Sequence, residues 1–416
     1  MFLALYFVVV TSATGLLAIV AAKRKAGRRK SYRIFAAGFG VLCGYLMAEL
    51  AVTAYHGFSW AGSSMWLFDE SGKTVHFDPI RGCMLTEQPS RWGRITEGTF
   101  EYVASLKGNS QGFPTRTDFG PARPDGSTRR IAVLGDSFSA GDFLEMNWPD
   151  RAQALAEAGG EKLQMLNFSL EGIGLANWWS ILTRLVAAQN YELDGIVFVV
   201  SPNDLERKFS VQEHRGYRSH MWRTCENWDP QTYPTTFDQT TSCPVSVEHA
   251  YVVSDSEFEQ ALNKKWPASV PRSELRPVLG KQIFNLLDWW SESVQAALWK
   301  APPFDPEQDR LIEDIRRFVS SRKVPVLVVF LPTWEQLVKS TWKKDPNRTE
   351  TMAFAKEIGA SFVDGSEAFA SMQPGEVRKC FFAHDGHWNQ AGSDRFAEFM
   401  LGLIPRSLPN QLQASR

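Results

Sequence analysis

The chain has no surplus of charge: 45 Lys and Arg stand against 46 Asp and Glu, for a net charge of −1 over 416 residues. The balance is uneven, with seven basic residues and one acid in residues 1–55 and 38 basic against 45 acidic residues in the remainder. A mildly acidic body excludes nucleic acid as a partner, because phosphate binding needs a basic face. Cysteine is scarce, with five in the chain, no two of them form a close pair, and the seven histidines are scattered. No metal site or other cofactor is therefore expected. No basic residue precedes the first apolar run, which argues against a cleaved signal peptide. Disorder is excluded by a hydrophobic fraction of 44% with 22% charged residues.

What the first 55 residues do have is apolar length. Phe2 to Ala22 is a 21-residue stretch without a charge, long enough at 1.5 Å per residue to span a hydrocarbon core of roughly 30 Å. Residues 34–55 form a second such stretch, interrupted by Glu49 alone. Between them runs Lys23-Arg24-Lys25-Ala26-Gly27-Arg28-Arg29-Lys30. The pattern predicts a transmembrane helical hairpin with residues 2–22 and 34–55 in the bilayer and a cytoplasmic basic loop. That would make the chain a multi-pass protein of the inner (cytoplasmic) membrane with its body on the periplasmic side. Cys43 falls in the second span, leaving Cys83, Cys225, Cys243 and Cys380. Cys225 and Cys243 bracket one loop and are the expected disulfide, four reduced thiols being the alternative; whether Cys83 and Cys380 pair is open.

Residues 56–129, rich in Gly, Pro, Ser and Thr, are read as a stalk wrapping onto the domain that follows. From 130 the pattern alternates. Strands are expected at Ile131–Leu134, Leu163–Phe168, Gly195–Val200, Val324–Leu331 and Ser361–Val363. Helices are expected at Pro149–Ala158, Asn177–Asn190, Asp305–Arg322, Thr349–Ile358 and Ala391–Leu403. Apolar strands alternating with amphipathic helices mean a parallel five-stranded sheet covered on both faces. Residues 205–304 do not alternate and are read as an insertion within the 130–416 domain. They hold six tryptophans, which can pack a core or stack on sugars.

Candidate chemistry falls at the carboxyl ends of these strands, where ligands collect in open α/β sheets. Ser137 follows the first strand in Gly135-Asp136-Ser137. Gly172, after the second, can bring a backbone N–H close to a substrate, and Asn203, after the third, can supply a side-chain amide. Asp385 and His387 come last, in His384-Asp385-Gly386-His387-Trp388-Asn389. Singly, each has a plain structural reading as a turn residue, a helix cap or a surface histidine. Together they offer a nucleophile, a base with an orienting acid, and oxyanion donors.

The motifs resemble those of the SGNH (GDSL-type) hydrolase superfamily over roughly residues 128–205 and 305–405. Gly135 to Gly141 with Trp148-Pro149 resembles the first block, Asn167 to Gly172 the second, Asn203-Asp204 the third, and Asp385 to Asn389 with Gly392 the fifth. Two departures stand out. Ser201 occupies the position where the third block usually has Gly, and only Gly386 separates Asp385 from His387, where two residues are usual.

The resemblance implies a flavodoxin-like three-layer sandwich. It makes Ser137 the nucleophile, His387 the base and Asp385 its orienting acid, with His384 as the fallback base. The Ser137 N–H, the Gly172 N–H and Asn203 form the oxyanion hole. It further implies a serine esterase that removes acyl, above all acetyl, groups from a cell-envelope glycan or related ester through an acyl-enzyme. A polysaccharide O-acetyltransferase using the same acyl-serine and a catalytically silent glycan-binding module are the alternatives.

Overall fold

Five short apolar runs set the architecture. The computed structural model describes residues 65–69, 75–96, 99–214, 220–225, 245–246, 250–263 and 304–408, with Gly40, Gly44, Tyr45 and Thr236. By its contacts the chain divides into one unit of Met65–Ile95, Phe100–Lys265 and Trp299–Arg416 and another of Met1–Ser64, Thr96–Thr99 and Trp266–Leu298.

The described strands, in chain order, begin with β1 (Met65–Asp69), β2 (Val75–Asp78), β3 (Gly82–Leu85), β4 (Ser90–Thr96) and β5 (Thr99–Leu106). They continue with β6 (Arg129–Leu134), β7 (Leu163–Asn167), β8 (Gly195–Val200), β9 (Phe209–His214), β10 (His220–Cys225) and β11 (Val245–Ser246). The last are β12 (Ala250–Val253), β13 (Val326–Phe330) and β14 (Ser361–Asp364). The central sheet has the order β14-β13-β8-β6-β7 with every pair parallel. Ile131 to Leu134, Ile196 to Val199 and Leu327 to Phe330 are fully buried, as strands covered on both faces must be.

From β6 the chain crosses to β7 in one direction, and from β7 through β8 and β13 to β14 in the other. Right-handed crossovers then put the first connecting helix on one face and the later ones on the opposite face. The contacts agree: Trp148–Ala158 packs with Gln390–Ser407, while Pro306–Arg322 packs with Leu175–Ser180 and with Pro346–Glu357. The direction reverses between β6 and β8, and their carboxyl ends frame the crevice where such sheets bind ligands.

Several elements begin or end other than the sequence predicts: the helix expected at Thr349–Ile358 starts at Pro346, and the one expected at Ala391–Leu403 runs on to Ser407. The helix expected over Asn177–Asn190 is α-helical only over Leu175–Ser180 and continues as a π turn, Ile181–Val186. Its start is moved forward because the Leu175 N–H finds a distant acceptor in the Asp204 carbonyl at 3.0 Å. The residues read as a stalk supply β1 to β5, with β1 flanked by β4 and, in parallel, by β12 from the inserted segment.

The expected location in the inner membrane is corrected. No helix among the described residues is long and apolar enough to cross a membrane. The longest, Gln390–Ser407, carries Asp394, Arg395 and Glu398 and buries Phe396, Ala397, Met400 and Ile404, the pattern of an amphipathic helix. Residues 2–22 and 34–55, on which the hairpin was expected, lie outside the described residues, as do Glu49 and the partner expected for Cys225, Cys243. Of the inserted tryptophans only Trp222, on β10, is among the described residues. Cys83 and Cys380 are buried free thiols.

Phe198 on β8 packs edge-on against Phe354 at 5.4 Å between centroids and near Trp178 at 5.8 Å, with no exposure to solvent. Phe198→Ala should leave a cavity there and lower unfolding stability by about 3–5 kcal/mol, read from denaturant melts of the two proteins.

Candidate active site

Ser137 owes its position to a turn that only a few residue types permit. Asp136 caps the short helix Ser137–Ala140 by accepting from the Phe138 N–H at 3.0 Å, and Gly141 closes it in the left-handed region at φ 58°. A Cβ at position 135 would lie 2.5 Å from Ser139 Oγ, so glycine is required for the turn to fold back on its strand. The turn is then held from outside. Trp148 Nε1 donates to Ser139 Oγ at 3.0 Å, Asn167 Nδ2 to the Ser139 carbonyl at 2.9 Å, and Trp178 Nε1 to the Gly135 carbonyl at 3.1 Å.

The other half of the site is the loop between Cys380 and Asn389, closed by paired backbone bonds (Phe382 N–H to the His387 carbonyl, 3.0 Å; Asn389 N–H to the Cys380 carbonyl, 2.9 Å). Arg378 holds the carbonyls of Phe381 and Phe382 at 3.2 and 2.8 Å. On this loop His387 Nδ1 lies 2.5 Å from Asp385 Oδ1, and Nε2 lies 2.6 Å from Ser137 Oγ. An ionised carboxylate only accepts, so Nδ1 carries the proton and Nε2 receives the serine hydroxyl. The one-residue spacing is compatible with this geometry because the Asp385 carboxylate also accepts the His387 backbone N–H at 3.1 Å. Phe138 and Phe143 pack on the imidazole, 4.8 and 4.7 Å between centroids. His384 is exposed; its backbone N–H donates to Glu101, and no contact to Ser137 is among its described bonds.

The second oxygen of Asp385 is held by residues that the sequence did not single out. Tyr102 Oη donates to Asp385 Oδ2 at 3.1 Å, and the Arg94 guanidinium makes an ion pair with the same oxygen. Glu101 accepts the Asp385 N–H at 3.1 Å. Arg94 is on β4 and the other two on β5, some 283 residues from the loop they serve.

Burial opposes ionisation of Asp385, but the His387 hydrogen bond and charge, aided by Arg94, hold its carboxyl well below the usual carboxylate range. For His387, burial disfavours the charged imidazolium, yet the Asp385 hydrogen bond and charge outweigh it and raise its proton affinity above the ordinary 6.5. Burial and the Asp385 charge raise Tyr102 further above its normal range, keeping it a donor.

The three expected oxyanion donors stand free. Gly172, at φ 67°, follows β7, and its N–H makes no hydrogen bond among the described residues; the same holds for Ser137 N–H. Asn203, at φ 70° after β8, uses its backbone N–H on Asn347 at 2.9 Å and leaves its side-chain amide without a described partner. Next to Ser137 in the chain, buried Asp136 is bridged to buried Asp204 by Arg207, at 3.6 and 3.1 Å.

Beside the site, Asp142 borders a cleft of about 590 Å³ whose walls include Val103, Ser105, Arg116 and Met146. Burial pushes the Asp142 carboxyl up to about 6, against the opposing charge of His387. Asp142 is a single residue in a loop without a pattern, so no sequence signal marks it.

No family model and no curated protein matches the chain. Solved structures do. The lipase Lip_vut3 from a goat rumen metagenome is 10% identical over 66% of this chain and 97% of its own, with a TM-score of 0.33. An acetylxylan esterase mutant from Geobacillus stearothermophilus is 11% identical over 70% of this chain and 98% of its own, at 0.34. A psychrotrophic esterase from Pseudoalteromonas sp. is 9% identical over 68% and 100%, also at 0.34. At such identities and scores the function has to be read from the site's own geometry.

A titration of the His387 ring by NMR should show a midpoint above 6.5. In Asp385→Asn the negative charge that favours the imidazolium is gone while burial remains, so the midpoint should move down. An unchanged midpoint would mean that Asp385 does not act on the ring.

Proposed function

We propose that this chain is an SGNH-type serine esterase acting through an acyl-enzyme. The observation that carries the reading is the continuous line Ser137 Oγ, His387 Nε2, His387 Nδ1, Asp385 Oδ1, with successive separations of 2.6 and 2.5 Å across the ring.

A serine hydroxyl is a weak nucleophile until a base takes its proton. Here Oγ attacks the ester carbonyl while its proton passes to His387 Nε2, and the carbonyl oxygen becomes an oxyanion facing the free donors of Ser137, Gly172 and Asn203. Collapse expels the alcohol, which takes the proton back from Nε2. Water then repeats the sequence on the acyl-serine: its proton goes to Nε2, its oxygen bonds to the acyl carbon, and the Ser137 oxygen leaves reprotonated by His387. Asp385 keeps the Nδ1 proton in place and stabilises the imidazolium. The substrate class proposed is an acylated glycan or related small ester, with acetyl as the acyl group.

The test combines variants with product analysis. Ser137→Ala and His387→Ala should each lose nearly all hydrolysis of an acetyl ester, and the two losses should not add, because the groups act as a unit. Asn203→Ala should lose about 10²–10³ in rate, as for one oxyanion donor, and Asp385→Ala should fall between these. A fluorophosphonate probe should label wild type at Ser137 and leave Ser137→Ala unlabelled. Supplying oligosaccharide acceptors separates the outcomes: free acetate means esterase, and acetylated acceptor means that a sugar hydroxyl replaces water in the second half-reaction. Full activity in Ser137→Ala would overturn the assignment.

A further inference from the structure

The oxyanion donor expected of Gly172 is one end of a peptide group, and the other end is held by a residue far away. Gln212 Nε2 donates to the Glu171 carbonyl at 2.8 Å. In a planar trans peptide the carbonyl of residue 171 and the N–H of residue 172 point in opposite directions. Fixing the carbonyl therefore aims the N–H. Because glycine adopts positive and negative φ almost equally well, Gly172 at φ 67° does not by itself prevent this peptide from turning over. The bond from Gln212 does, since a flipped peptide would present an N–H to an amide nitrogen.

Gln212 is built to do this. It lies on β9, 5% exposed, and a carbonyl partner fixes which end of its amide faces Glu171. The strand is pinned to the same region two residues earlier: Asn177, on the helix after Gly172, donates Nδ2 to the Ser210 carbonyl and accepts the Ser210 N–H, both at 2.9 Å.

We propose that Gln212 is a positioning residue for the reaction: it orients the peptide between Glu171 and Gly172 so that its N–H points into the oxyanion hole, making the inserted β9 part of the catalytic apparatus. This rests on the serine-esterase reading and specifies one of its donors.

Two variants test it. Gln212→Leu removes the donor, and Gln212→Glu sets an acceptor against the carbonyl. Each should lower kcat about tenfold to a hundredfold, less than outright loss of an oxyanion donor, with KM nearly unchanged. Each should slow fluorophosphonate labelling of Ser137 to a similar degree.

Gln212→Glu carries a further signature that a packing defect would not show. A buried carboxyl titrates high and, once protonated, donates, so the activity of this variant relative to wild type should rise as pH is lowered from about 8 to about 5. That ratio also decides the matter if Gln212→Leu does not fold. Wild-type kcat in Gln212→Glu, or a ratio flat with pH, would overturn the proposal. The two failures are distinguishable: an active Ser137→Ala sinks the esterase reading, whereas an inactive Ser137→Ala beside fully active Gln212 variants sinks this inference alone.

Discussion

A carboxylate with only 4% of its side chain exposed must find partners for both oxygens, or it takes up a proton instead. Asp385 meets that requirement with His387 on one oxygen and Arg94 and Tyr102 on the other. The geometry of the whole site follows from it. Because the charge is retained, the imidazole keeps its proton on Nδ1; because that proton is fixed, Nε2 is available to the Ser137 hydroxyl. Arg94 also offsets part of the negative charge, so the pair does not simply share one proton.

The parallel sheet delivers Ser137 and Gly172, but it does not supply everything that holds them. The β4–β5 pair, which precedes the sheet in the chain, anchors the acid. β9, inserted between two sheet strands, holds the peptide before Gly172. Each contact is a hydrogen bond or ion pair that takes at least one buried polar group, for which the alternative is an unsatisfied donor or acceptor. The additions to the sheet are therefore coupled to the site by the same rule that governs any core: polar groups taken out of water have to be paired.

Much of the fold was legible because its signals are local. Ile131–Leu134 and Gly195–Val200 are unbroken apolar runs, and a strand buried on both faces needs that composition whatever its neighbours. Gly135-Asp136-Ser137 was legible because a tight turn accepts few residue types. Where an end was decided by a remote partner, as at Leu175 and its acceptor Asp204, the sequence placed it wrongly. The expected inner-membrane location went beyond what the described helices carry, since apolar length in a sequence states a capacity and not a placement.

The sequence by itself determined the strands and helices of the central sheet and brought out Ser137, His387 and Asp385 as one candidate set, because each lies in a short motif whose residues act on their own backbone. Tertiary structure alone decided which groups surround them. Arg94, Tyr102, Asp142 and Gln212 carry no motif, and Tyr102 stands 283 residues from the carboxylate it serves. A single polar residue in an unpatterned segment looks the same whether it faces solvent or a buried charge; only the folding of distant segments against one another makes the difference.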